Sequence, residues 1–371
     1  MKRFLALLLA LMMVLSLAAC GGGETGGNAG KVDEEVDEYM AELIKAAQAE
    51  GELVVYGSCE EPYISAACAA FEKKYGIKVS WGKLAGGEIQ AKVQEENGNP
   101  SADVWFGGTS DPQSVCAAQG LLEAYDAHNK GNLVGDSFRD ADGYWYGVYR
   151  GILGIFYNME ELDRMNLPYP KDWDDLLDPQ YKGLIWFSNP NTASTAKLTI
   201  NTFVQMRGHD KAMEYFVELD KNVAQYTKSG GGPSKSVGTG ECVIGIGFLH
   251  DAVYQITQGY DNVGMAVPAS GTSCEIGATS IFKGCKHPNA AKLWIEFCLT
   301  PECVELADDT GSFQFLVLKN AKQPEVLDKF DLNPDVTIDY DFADAKANTV
   351  KYVEDFFAAI GNAADDRFKT Q

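Results

Sequence analysis

The residues of this chain best placed to do chemistry are small polar ones that begin helices. Gly107-Gly108-Thr109-Ser110 precedes one expected helix, Asn191-Thr192-Ala193-Ser194-Thr195 a second, and Lys228-Ser229-Gly230-Gly231-Gly232 a third. A helix N-terminus presents unpaired backbone N–H groups and a partial positive charge, and glycine lets an anion approach closely, so each start suits a phosphate. The same serines and threonines would serve equally as plain N-caps. Three such starts, in two halves of the chain facing one cleft, favour anion binding.

A second constellation is His250-Asp251 at the end of an expected strand, with Glu275 at the start of a later one. Ionised carboxylates only accept hydrogen bonds, so they disfavour a phosphate dianion and suit hydroxyl donors, which predicts a ligand with a polyol end. Two alternatives stand beside this reading. Asp251 could N-cap a helix over 252–258, and Glu275 could be a solvated strand residue.

Catalytic signatures are missing. There is no G-x-S-x-G elbow, no H-E-x-x-H helix and no G-x-x-x-x-G-K-[ST] loop. Gly245-Ile-Gly247 is half of a dinucleotide fingerprint, but His250 stands where the third glycine belongs. Only His128, His209, His250 and His287 are available for acid–base work at neutral pH. The expectation is a binder that is not an enzyme, with no cofactor and no metal. The eight cysteines after Cys20 contain no C-x-x-C pair, so a structural zinc site is unsupported. Disulfides are allowed in an exported protein, with Cys274/Cys285 and Cys298/Cys303 the nearest pairs, but most cysteines fall in apolar patterns and read as small core residues.

The elements that must position these groups follow an α/β rhythm. Strands are expected at 53–56, 77–81 and 102–106, with helices opened by Pro62 and over 86–97 and 112–119. The rhythm breaks after Leu122, where the aromatic-rich stretch from Tyr144 to Tyr157 reads as a crossover. A second run has strands at 184–187, 224–227, 242–249 and 263–267 and helices at 193–206, 210–222 and 251–258. Strand 275–282 and helix 288–299 return to the first half. Alternation of this kind builds parallel sheet covered on both faces, so two α/β lobes joined by crossing strands enclose a cleft. The expected lobes are 51–146 with 271–321, and 147–270 with 322–371.

Ahead of them, Lys2-Arg3 precedes sixteen apolar or small residues, Phe4 to Ala19, ending in Leu17-Ala18-Ala19-Cys20 and then Gly-rich chain. That stretch is shorter than the roughly 20 residues of a bilayer helix and predicts a signal peptide over 1–19. Cys20 resembles a lipoprotein junction, which makes it the lipidation site, followed over 20–50 by a tether and an amphipathic helix. Loss of residues 1–19 moves the net charge from −22 to −24, which disfavours nucleic acid and anionic lipid surfaces.

From Leu53 onward the chain resembles the extracellular solute-binding proteins of ABC importers, in the ferric-type branch with the two-lobed periplasmic-binding-protein fold of type 2. The resemblance rests on Ala102-Asp-Val-Trp-Phe-Gly-Gly-Thr109, Asp111-Pro-Gln-Ser114, Gly120-Leu-Leu-Glu-Ala-Tyr125, Asp172-Trp-Asp-Asp-Leu-Leu-Asp-Pro179 with Lys182-Gly183, and Gln225-Tyr-Thr-Lys-Ser-Gly230. Iron binders of that branch use adjacent tyrosines, and this chain has no Tyr-Tyr pair. Gly247-Phe-Leu-His-Asp251 and Cys274-Glu-Ile-Gly277 are instead similar to members that take up hexose 6-phosphates. That resemblance implies that His250, Asp251 and Glu275 hold sugar hydroxyls. The candidate ligand set is Ser58, Gly87, Thr109, Thr192, Ser194, Thr195, Ser229, Gly230, His250, Asp251 and Glu275. Glu88-Ile89 departs from the pattern, standing where small hydroxyl residues are expected after Gly86-Gly87. The implied function is capture of a phosphorylated sugar by a lipid-anchored monomer on the outer side of the cytoplasmic membrane, for an ABC permease and ATPase. Alternatives are ferric ion, a phosphonate or thiamine phosphate as ligand, or a cleft enzyme acting on phosphate esters.

Overall fold

A single thirteen-residue strand, Tyr146–Asn158, serves both halves of the molecule. The computed structural model describes residues 29–361 and 366–368, so the expected signal peptide and Cys20 lie outside the described residues. Helix Ala29–Glu50 runs through the boundary between a short N-terminal unit, 1–40, and the body, 41–371. Within the body Leu43 and Ala47 are buried on that helix. Glu50 accepts hydrogen bonds from the Asn289 and Ala290 N–H groups, at 3.0 and 2.8 Å, and so caps helix Pro288–Cys298.

The strands of the body are β1 Glu52–Gly57, β2 Lys78–Lys83, β3 Val104–Thr109, β4 Leu122–Glu123, β5 Tyr146–Asn158, β6 Ile185–Ser188, β7 Val223–Thr227, β8 Ile244–Phe248, β9 Val263–Ala266, β10 Cys274–Phe282 and β11 Phe315–Leu316. Their order is β2-β1-β3-β10-β5-β8-β6-β7. At one end β1 is parallel to β2 and β3; at the other, β6 is parallel to β7 and β8. Between these parallel groups β5 and β10 run antiparallel. Residues 146–152 of β5 pair with β10, and 153–157 pair with β8, so one strand carries the chain from the first α/β lobe into the second. A two-lobed α/β architecture results, with a mixed sheet at its centre.

Each lobe has its own aromatic core. Tyr63, Phe71 and Tyr75 of helix Glu61–Tyr75 meet Phe106, Trp294 and Phe297 in the first. Trp173, Phe203, Tyr215, Phe216 and Phe356 pack in the second. Phe356 belongs to helix Phe342–Ile360, which the sequence reading did not place, although Ala345, Thr349, Val353 and Phe356 recur at helical spacing and are buried. That helix packs on helices Ser110–Ala118, Ser194–Arg207 and His209–Asp220.

The eight described cysteines are free thiols. The pairing of Cys274 with Cys285, which the sequence allowed, does not form: Cys274 opens β10, a nine-residue strand about 30 Å long, and Cys285 lies beyond its far end. Cys298 and Cys303 are neighbours, and burial raises the Cys298 thiol well above its usual range.

Asp103, 1% exposed, ties β10 and the following turn to β1. It accepts hydrogen bonds from the N–H groups of Val54 (2.7 Å), Lys286 and His287 (both 3.0 Å) and lies 2.9 Å from His287 Nδ1. Asp103→Ala would leave three part-buried N–H donors without their acceptor, at about 1 kcal/mol each. A fall of several degrees in the melting temperature, with ligand affinity unchanged, is the expected result; an unchanged melting temperature would refute it.

Candidate functional site

In parallel α/β sheets, loops that follow the carboxyl ends of strands form the crevice. That rule applies to both lobes. Ser58, Cys59 and Glu60 follow β1, Lys83 ends β2, Gly108 lies at the end of β3, Ser229 to Gly231 follow β7, and His250 and Asp251 follow β8. Together with Glu275 of β10 they line a cavity of about 720 Å³. The volume suits a small ligand enclosed by two lobes.

One set of lining residues is rich in donors. Helix Ser194–Arg207 has Ala193 at its N-cap with no side-chain cap, and the Ser194 and Thr195 N–H groups find no acceptor among the described residues. The N–H groups of Ser229, Gly230 and Gly231 are likewise uncommitted among the described residues. The two segments touch: a Cβ on Gly230 would sit 2.0 Å from Thr195 Oγ1, so only glycine permits this approach. The hydroxyls of Ser194, Thr195 and Ser229 neither accept from nor donate to any of the described residues, so none of them caps a helix. Lys228 stands beside them and pairs with Glu88 of the other lobe, Nζ to Oε1 2.7 Å.

A second set of lining residues is acidic, and it adjoins the first: a Cβ on Gly231 would lie 3.6 Å from Asp251 Oδ2. His250 is 5% exposed, stacked at 5.5 Å on Phe248, with its Nδ1 unpartnered against Gly151, where a Cβ would lie 2.5 Å away. An unpartnered buried nitrogen is less costly as a lone pair than as N–H, so the proton belongs on Nε2. Nε2 lies 3.7 Å from Asp251 Oδ1 and 3.9 Å from Glu275 Oε1, beyond hydrogen-bond reach of both. Burial pushes the His250 pKa down to about 4, partly opposed by Glu60, so the ring is neutral at pH 7. Burial, then the charge of Glu60, raises Asp251 to about 8, with Lys235 and Lys83 pulling the other way. Glu275, 3% exposed, is raised well above the carboxylate range by burial and by Glu60 and Asp251. Burial also raises Glu60, but Lys83, His250 and the Gln314 amide outweigh it and hold it below its ordinary value. Gln314 donates to Glu60 at 2.9 Å.

The candidate residues therefore separate. Ser58, Ser194, Thr195, Ser229, Gly230, His250, Asp251 and Glu275 line the cavity, whereas Gly87, Thr109 and Thr192 do not. Gly87 N–H donates to the Thr192 carbonyl at 2.9 Å, so this pair joins the lobes directly. Thr109 is buried with its hydroxyl unpartnered. Ser58 donates its N–H to Phe106 O and its O–H to Gly107 O, 2.7 Å, so its side chain faces the cavity only as an acceptor. Asp251 is not an N-cap: the helix begins at Leu249, its N-cap is Phe248, and Asp251 sits in the first turn. Nor is Glu275 solvated. Sequence reasoning missed Glu60, Lys83, Glu88, Lys228 and Lys235. The strand-end rule reaches Glu60 and Lys83; Lys228 immediately precedes a loop already singled out. Ligand atoms of Glu60, His250 and Asp251 lie within 4.8 Å of one another, a spacing that could also hold a metal ion. Paired phenolates are absent: Tyr149 and Tyr254 line the cavity, but the Tyr149 hydroxyl already accepts the Gly108 N–H at 2.9 Å.

Residues 99–346 match the family of bacterial extracellular solute-binding proteins, and the chain belongs to that family. An uncharacterized protein of Haemophilus influenzae is 40% identical over 303 residues, covering 80% of this chain and 86% of its own length. Among solved structures, the periplasmic binding protein AfuA from Actinobacillus pleuropneumoniae, determined with fructose 6-phosphate bound, is 37% identical with a TM-score of 0.79, over 84% of this chain and 98% of its own. The ferric binding protein from Campylobacter jejuni shares the fold, with a TM-score of 0.71 at 18% identity, over 83% of this chain and 99% of its own. Such proteins deliver solutes to the permease and ATPase of an ABC importer. No helix of the described residues is long and apolar enough to cross a membrane.

Proposed function

We propose that this protein captures a phosphorylated sugar, a hexose phosphate in the first instance, and hands it to an ABC importer without transforming it. The observation that carries the reading is the polarity of the cavity. Uncommitted N–H and O–H groups of Ser194, Thr195, Ser229 and Gly230 form one set of lining groups, and the carboxyl groups of Asp251 and Glu275 a second. A phosphate fills the first set as an anion on helix and loop N–H groups. Sugar hydroxyls donate to the second. Fructose 6-phosphate in the related AfuA supports the same ligand class.

Capture proceeds by hinge closure of the lobes 51–146 with 271–321 and 147–270 with 322–371, because a ligand touching both favours the closed state. Cross-lobe bonds such as Lys197 Nζ to Gln90 Oε1, 2.7 Å, add to closure. Export by a signal peptide over 1–19 and lipidation at Cys20 complete the reading, holding a monomer at the outer face of the cytoplasmic membrane. A thermal-shift screen tests it. Hexose phosphates should stabilise the protein by about 2.7 kcal/mol at a hundred times Kd. Stabilisation by phosphonates or thiamine phosphate alone would reassign the ligand, and release of phosphate would make the protein an enzyme. Ferric citrate should give no visible charge-transfer band, since the hard phenolate pair is missing. A stoichiometric coloured complex would overturn the sugar phosphate.

A further inference from the structure

The acidic part of the cavity holds more carboxyl groups than a neutral polyol requires. Glu60, Asp251 and Glu275 converge there from three elements: the start of helix Glu61–Tyr75, the first turn of helix Leu249–Thr257, and β10. Glu275 is 3% exposed, lines the cavity, and accepts no hydrogen bond from any described residue; its nearest recorded donor, His250 Nε2, is 3.9 Å away. Across the whole cavity five carboxylates, Glu60, Glu61, Glu88, Asp251 and Glu275, face three ammonium groups, Lys83, Lys228 and Lys235. Lys228 pairs with Glu88 within that set, and Lys83 also donates to the Cys59 carbonyl. A phosphate dianion with a neutral sugar leaves these carboxyl groups without a cation, and burial then keeps Asp251 and Glu275 largely protonated at pH 7. A ligand that also carries a cation supplies one.

We propose that Glu60, Asp251 and Glu275 form a pocket for a protonated amine, so that the preferred ligand is an amino-substituted sugar phosphate. An ammonium offers three N–H donors to three carboxylates, one of them without any protein donor, while a hydroxyl offers one. His250 Nε2–H is left for a neighbouring hydroxyl oxygen. The inference rests on the phosphate reading above and deepens it. The titratable groups facing the pocket are Glu60, Lys83, Lys235, His250, Asp251 and Glu275, with the Gln314 amide and the Tyr149 phenol beside them. Burial keeps Asp251 and Glu275 largely protonated without ligand, so an ammonium should expel protons into the buffer as it binds.

The experiment is calorimetry of the mature protein at pH 7, in two buffers of different ionisation enthalpy, with glucosamine 6-phosphate, glucose 6-phosphate and N-acetylglucosamine 6-phosphate. Glucosamine 6-phosphate is expected to bind at least tenfold tighter than the other two and to release protons. Glu275→Gln should abolish that preference, its fold checked by melting temperature, and Asp251→Asn provides a second variant should it fail to fold. Equal affinity for the amino and hydroxy esters overturns the inference and leaves the phosphate reading standing. Failure of all three esters to bind overturns both. Stabilisation by calcium or magnesium chloride alone, lost in Glu60→Gln, assigns the carboxylates to a metal ion and also overturns the inference.

Discussion

Removing the phosphate from a hexose phosphate should lower affinity a hundredfold or more. The donor set lining the cavity has five backbone N–H groups, those of Ser194, Thr195, Ser229, Gly230 and Gly231, without acceptors among the described residues. It also has the hydroxyls of Ser194, Thr195 and Ser229. Hydrogen bonds to a charged partner are worth about 1.5–3 kcal/mol each, so losing even two costs about 3 kcal/mol or more, a factor of over a hundred. A dianion is also what the positive end of helix Ser194–Arg207 favours. Affinity should therefore decline as pH falls through about 6, where the monoester takes up a proton. Titrations of glucose and glucose 6-phosphate across pH 5 to 8 check both statements. Equal Kd values for the two ligands would show that the donor set does not hold a phosphate.

Asp251→Asn should weaken sugar-phosphate binding and yet stabilise the empty protein at alkaline pH. The folded Asp251 titrates near pH 8 against an ordinary value of 3.8, because burial and Glu60 penalise its charge. Between those values the unfolded chain has released a proton that the folded protein retains. Stability without ligand then falls as pH rises through that window, by up to about 1.4 kcal/mol per pH unit for one such group, and levels off above pH 8. Asparagine has no charge to bury, so the variant should melt higher than the parent at pH 8, with the gap closing toward pH 4. With ligand present the order reverses, since the amide accepts less strongly from a sugar hydroxyl; about 1.5–3 kcal/mol of affinity is at stake. His250 works in the opposite sense. Its folded pKa near 4 lies below the ordinary 6.5, so its contribution is intact above pH 6.5 and declines as pH falls from there toward 4. Parallel melting curves for parent and variant from pH 5 to 8 would remove the buried-carboxylate account.

Much of the architecture was legible from the linear pattern. Strand–helix alternation over 53–119 and 184–267 is local information: apolar runs of strand length between amphipathic helices, with glycine at the turns. The helix Phe342–Ile360 carried the same signal in Ala345, Thr349, Val353 and Phe356 but had no adjoining strand to announce its place. The polar helix start at Ser194 and the Gly-rich loop at Ser229 were visible for the same local reason, and so were His250, Asp251 and Glu275 through their likeness to hexose-phosphate binders.

Which of those residues share a cavity is a matter of three-dimensional packing. Thr192 and Ser194 are two residues apart, yet Thr192 bonds to Gly87 and Ser194 lines the cavity. The difference depends on how closely helix Gly86–Glu96 approaches across the cleft. Burial is equally non-local: Glu275 reads as an ordinary strand carboxylate, and it is burial in the assembled fold, then the approach of Glu60 and Asp251 from other segments, that raises its pKa. Sequence by itself determined the element types, the lack of adjacent tyrosines and the supply of polar helix starts, because these depend on residues near one another along the chain. Tertiary structure alone decided which donors remain free, which ones join the lobes and where three carboxylates meet, because hydrogen bonding and desolvation depend on neighbours that the chain brings together from distant segments, Gln314 and Glu60 among them.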